Sequence, residues 1–146
     1  KLHIYGFDLN LDLQYVKEIK RLILINKLES SVIFHGYVDD TNNIYPHFSF
    51  LIHACVLESY GRVIYEAMSY GLPVMCVRSD ASHIIIDHLN GYTWYLDSIN
   101  SFKKAFNYIS NRQNFYKLSL NAKLSYTNLF INNSVNSSFL IKKYLD

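Results

Sequence analysis

No run in this sequence is long and apolar enough to span a bilayer, and its first residues, the strand-like LHIYG (2–6), carry no charged and apolar leader. Those absences argue against an integral membrane segment. The expected location is cytoplasmic, or peripheral at the membrane in a full-length enzyme. An excess of one charge is missing too: 14 lysines and arginines face 12 aspartates and glutamates, spread along the chain, for a formal net charge of +2. No basic stripe marks a nucleic-acid binder. Cysteine is scarce, and Cys55 and Cys76 show neither CxxC nor paired metal spacing. Each ends an apolar run, so two buried, reduced thiols are expected rather than a disulfide. The six histidines show no ligand spacing. His35 and His53 fall in core-like strands and read as satisfied structural residues, which leaves His83 as the one worth testing. Asp39-Asp40 offers two adjacent carboxylates but no Asp-x-Asp, and no metal is expected. The sequons at Asn132 and Asn136 would matter only in a secreted protein. Neither a repeat nor a linker is visible, and 146 residues, half of them apolar, predict a single domain able to bury about two-thirds of its unfolded surface.

What is present is an alternation. Apolar runs LHIYG (2–6), VIFHG (32–36), SFLIHAC (49–55), PVMCV (73–77) and YTWYL (92–96) are each followed by a polar loop and mostly by a segment of helical period. From Asp12 to Lys27 the apolar positions Leu13, Val16, Ile19, Ile23 and Leu24 are expected on one face. From Tyr60 to Tyr70, Val63, Ile64, Ala67 and Met68 form another. Strands apolar on both faces belong to a parallel sheet covered by helices. The fold class expected is therefore α/β: a doubly wound, Rossmann-like parallel sheet with helices on both faces. Beyond Asn100 the chain turns helical, in SFKKAFNYIS (101–110), about Phe115 to Leu129, and Val135 to Leu145 with Phe139, Leu140 and Tyr144.

In such a sheet ligands bind beyond the carboxyl ends of the strands. Glu58 lies there, just past the strand ending near Cys55, and is followed by Ser59 as a possible N-cap and by Gly61, which lets backbone approach a ligand closely. Helix-start amides make a cradle for phosphate, and a carboxylate beside them needs another object. Neighbouring sugar hydroxyls, both donating to one carboxylate, are such an object. Glu58 and Glu66 together thus point to a molecule that is phosphate in one place and polyol in others, as a nucleotide sugar is. Against this, Glu66 can be read as a solvated helix glutamate and Glu58 as a loop carboxylate near a cap. Gly71 and Pro73 are read only as helix stop and strand start.

Glu58, seven residues, then Glu66, followed by AMSYGLPV and later by NGY (90–92), resembles the E-x7-E donor site of the group 1 (family four) retaining glycosyltransferases of the GT-B fold. VIFHGYVDD (32–40) is similar to the family's stretch before that site, and element order agrees from residue 1 to about 110. The resemblance implies a metal-independent transferase, without cofactor, that moves a sugar with retention from a UDP- or GDP-sugar to a glycan or lipid acceptor. It implies that Glu58 is the catalytic-site group that meets hydroxyls of the donor sugar, and that amides around Tyr60, Gly61 and Arg62 hold the diphosphate or sugar. Glu66 would bind the ribose, with the base near Gly36, Tyr37 and Val38. No nucleophile is assigned.

Family members also carry an arginine and a lysine for the diphosphate on an earlier strand and loop, preceded by an acceptor-binding domain. Neither is in this chain, which is therefore expected to be the donor-binding C-terminal part of a larger enzyme, inactive alone. SDASHII (79–85) has Ala81 and His83 where glycine and glutamate are commoner in the family. Arg62 reads either as a partial replacement for the missing cations or as a solvated helix-start residue. Two other readings remain open: a sugar-nucleotide epimerase of the same fold, and a non-catalytic flavodoxin-like regulatory or binding domain.

Overall fold

The computed structural model describes residues 1–6, 13–58 and 60–145, with backbone alone from 130 onward. The chain divides into two units, Lys1–Asn43 and Ile44–Asp146. In the first, strands β1 (Leu2–Tyr5) and β2 (Val32–Gly36) pair in parallel, and helix α1 (Gln14–Ile25) lies between them in sequence. Parallel pairing requires such a crossover, because a tight turn returns the chain antiparallel. Asp12, the expected start of α1, lies outside the described residues. Val16 is buried and Ile19 and Ile23 half-buried, but Leu13 and Leu24 are exposed. At 100° per residue those two sit about 60–80° around the helix from Val16, at the margin of its buried face. His35, expected in the core, is exposed: its ring stacks on Tyr5 at 4.3 Å, and its Nε2 lies 2.8 Å from Nδ1 of His3.

The second unit holds a three-stranded parallel sheet in the order β3 (Leu51–His53), β4 (Val74–Val77), β5 (Gly91–Trp94). Helices α2 (Arg62–Ser69), α3 (Ile99–Ser110) and α4 (Arg112–Leu145) complete it. All four residues of β4 are buried, and their alternation splits the core in two. Val74 and Cys76 join Ile64, Ala67 and Met68 of α2, while Met75 and Val77 join Ala105 and Ile109 of α3. Helices therefore cover both faces of the sheet, as strands apolar on both sides require. Each fully buried aliphatic contributes about 1.5–3 kcal/mol relative to exposure. Helix α4 serves both halves, placing Leu118 in one and Ala122 in the other.

The buried stripe of α2 is Ile64, Ala67 and Met68, at spacing i, i+3, i+4. Val63, expected with them, falls outside and is exposed. Helix α3 begins at Ile99, two residues before its expected start, because the Ser98 side chain accepts from the Ser101 amide and caps it. The two expected closing helices are one, since no proline or glycine interrupts residues 112–145. The side chains of Phe139, Leu140 and Tyr144 lie outside the described residues. Among the described residues no helix is long and apolar enough to cross a membrane.

Candidate functional site

Strand β3 stops at His53, and the loop after it carries Cys55 and Glu58 to the start of α2. Cys55 is exposed, contrary to expectation, because it lies two residues past the strand rather than within it. Cys76, on the central strand, is buried, and burial pushes its thiol up to about 11. Ser59, the proposed cap, lies outside the described residues. The helix is capped instead by Gly61, whose φ of +64° is the left-handed conformation that glycine adopts without strain. A Cβ at Gly61 would stand 2.9 Å from both Ala81 Cβ and Ile64 Cδ1, so the site requires glycine sterically as well.

The Glu58 carboxylate turns back onto this helix start. Its Oε1 accepts from the Gly61 amide at 3.0 Å and the Tyr60 amide at 3.4 Å. The Gly61 amide, then that of Tyr60, hold the carboxyl below its usual range, with His53 and Arg62 adding smaller pulls. The backbone oxygen of Glu58 accepts from the Ala81 amide at 3.1 Å, which ties this loop to the 3-10 turn Asp80–Ile84 that follows β4. That turn is made by SDASHII. In it His83 is exposed, with Nδ1 2.6 Å from the Asp80 carbonyl, and Ala81 is buried against Gly61.

His53 is buried as expected, yet its Nε2 finds no hydrogen-bond partner among the described residues. Burial lowers its pKa, partly offset by the Glu58 charge, so the ring is neutral at neutral pH. Tyr60 is exposed and stacks on Tyr65 at 5.3 Å, and Arg62 is exposed. Four residues after Arg62, on the same side of α2, Glu66 is half-buried and accepts a 2.8 Å hydrogen bond from the Tyr45 hydroxyl. The loop and helix thus bring Glu58, Tyr60, Gly61, Arg62 and Glu66 into one continuous element. Gly36 and Tyr37 belong to the other unit, at the carboxyl end of β2, where Gly36 has φ +70° and Tyr37 is exposed.

Arg78 and Tyr45 were missed from sequence, and Asn90 was quoted there only as part of NGY, with no role. Arg78, immediately after β4, holds its guanidinium 4.9 Å from the Tyr95 ring centroid and 3.8 Å from an oxygen of Asp87. The signal available was a first charged residue at the carboxyl end of a fully apolar strand. Asn90 donates to the Ile84 carbonyl at 3.0 Å and to Ser125 Oγ at 3.1 Å, and accepts from the Ile86 amide at 2.8 Å, so NGY braces the turn against α4. Tyr45, in a 3-10 turn before β3, carried no sequence signal for its contact with Glu66, 21 positions away.

Residues 1–111 match the sequence model of the family described as Glycosyl transferases group 1. No protein with a curated description matches the chain. Among solved structures, HepE of Anabaena in complex with UDP and glucose is 24% identical with a TM-score of 0.78, over 94% of this chain and 39% of its own. The C-terminal domain of a glycosyl transferase group 1 family protein, LpcC of Francisella tularensis, is 28% identical with a TM-score of 0.69, over 82% of this chain and 64% of that one. A glycosyltransferase of Rickettsia africae is 21% identical with a TM-score of 0.79, over 97% and 39%. The chain thus spans about two fifths of the HepE and Rickettsia structures.

Proposed function

The chain belongs to the group 1 glycosyl transferases, and from that premise we propose that it is the donor-binding part of an enzyme that transfers a hexose from a UDP- or GDP-sugar to a glycan or lipid acceptor. In this reading transfer proceeds with retention and without a metal, the acceptor is held by another domain, and the residues present here do not turn over alone. The fold supports the reading: the domain is of the Rossmann-like GT-B kind, and HepE, which shares it, was crystallised with UDP and glucose. The observation that carries it is the pairing of Glu58 with the helix-start amides of Tyr60 and Gly61, and Glu66 one turn further along α2.

Departure of a nucleoside diphosphate develops negative charge on phosphate and positive charge on the sugar ring. Helix-start amides and cations answer the first; a carboxylate answers the second and orients hydroxyls. Glu58 occupies the Gly61 and Tyr60 amides in this structure. Both of those bonds fall on Oε1, and Oε2 is the oxygen proposed to meet the sugar hydroxyls. Glu66 meets the ribose. Among the described residues no cluster of three or more His, Cys, Asp or Glu side chains is placed to hold a metal.

Calorimetric titration of the folded chain with UDP, GDP and ADP, each with and without a divalent ion, tests the reading. One nucleotide is expected to bind, at up to millimolar concentration, with the same affinity in both conditions. No heat from any of the three would contradict the donor site, and binding only with the divalent ion would contradict metal independence.

A further inference from the structure

Resting on the reading of Glu66 as the ribose-binding carboxylate, we infer that Tyr45 is a positioning residue for that carboxylate, and that it sets the preference of the site for a ribonucleotide over a nucleotide lacking ribose hydroxyls. The two residues are 21 positions apart and on different elements, a 3-10 turn and the middle of α2, yet the phenol donates to Glu66 Oε2 at 2.8 Å. Tyr45 is itself fixed. It is 8% exposed, its ring stacks on Tyr70 at 5.5 Å, and Pro46 follows it in the turn, so the hydroxyl is delivered from a rigid support.

The identity of the partner matters as much as its geometry. Among the described residues no lysine or arginine pairs with Glu66. A cation there would compete with a ligand for both carboxylate oxygens. A phenol supplies one donor to one oxygen, leaving Oε1 and the remaining lone pair of Oε2 to receive neighbouring hydroxyls. It also removes rotamer freedom that the free side chain would otherwise lose on binding. Burial and the Glu66 charge both push the phenol above its ordinary pKa, so it remains a donor throughout the working pH range.

The test uses the nucleoside diphosphate that binds, its 2′,3′-dideoxy form, and the variants Tyr45→Phe and Glu66→Gln. Tyr45→Phe keeps the buried ring. It is expected to weaken the ribonucleotide about threefold to tenfold, the range of one hydrogen bond, and to leave the dideoxy form unchanged. A purely structural role for Tyr45 would weaken both forms alike, and that result overturns the inference. If Glu66→Gln discriminates between the two forms and Tyr45→Phe does not, the inference fails while the ribose role of Glu66 stands. If neither variant discriminates, both fall. Should Tyr45→Phe not fold, Tyr45→Leu, which also removes the hydroxyl while keeping an apolar side chain in the turn, is expected to show the same selective loss, and equal loss on both forms overturns the inference.

Discussion

A carboxylate at the start of a helix has two claimants, the free amides of the first turn and any polar ligand that arrives there. Glu58 satisfies the first in this structure and is proposed to satisfy the second, and Glu66 shows the other solution, a carboxylate held by a neutral donor. At this scale sequence reading was strongest where residue type and chain position agreed. Glu58, Gly61 and Glu66 stand together on one loop and helix, as their spacing implied. It was weakest for burial near strand ends, since an apolar run does not reveal where pairing stops. His35 and Cys55 were both expected inside and are both exposed. The cysteines give a direct check. Cys55 is exposed and Cys76 is buried with its thiol pushed up to about 11, so a maleimide should label one thiol per folded chain and two in denaturant. Rapid labelling of both in the folded chain would mean that β4 is not the buried centre of its sheet.

The elements that were legible are those under one dominant constraint. PVMCV reads as a buried parallel strand because every residue is apolar, and β4 is buried throughout. The closing helices were divided in sequence by a weak apolar pattern, whereas the backbone has no breaker to divide it. Glycine requirements were only partly visible, since a close approach depends on what the fold brings up. A methyl at Gly91 would overlap the Val74 carbonyl oxygen across the β4–β5 pair. One at Gly61 meets Ala81 and Ile64 at 2.9 Å in a left-handed backbone, and one at Gly36 meets nothing within 4 Å. Stability in urea should therefore fall in the order Gly91→Ala, then Gly61→Ala, then Gly36→Ala. The last should cost about 1 kcal/mol, for backbone strain alone. Equal losses at Gly61 and Gly36 would show that the turn after β4 does not press on the start of α2.

For the whole molecule, the sequence alternation anticipated the α/β architecture and the E-x7-E spacing the family, while the base, sugar and acceptor of the proposed reaction depend on residues of types and positions that no local pattern distinguishes. The chain spans about two fifths of HepE, so the part in transfer proposed for it rests on the candidate donor site alone. The central claim is that Glu58 and Glu66 divide a nucleotide sugar between them, and it is tested most directly by titrating Glu58→Gln and Glu66→Gln with the free nucleoside diphosphate and with the corresponding nucleotide sugar. Glu66→Gln should weaken both ligands by about 1–3 kcal/mol, the loss of a charge-assisted hydrogen bond. Glu58→Gln should leave the free nucleotide nearly unchanged and weaken the nucleotide sugar. If Glu58→Gln weakens the free nucleotide as much as Glu66→Gln does, Glu58 acts on the nucleotide or on its own loop, and the division of roles is contradicted.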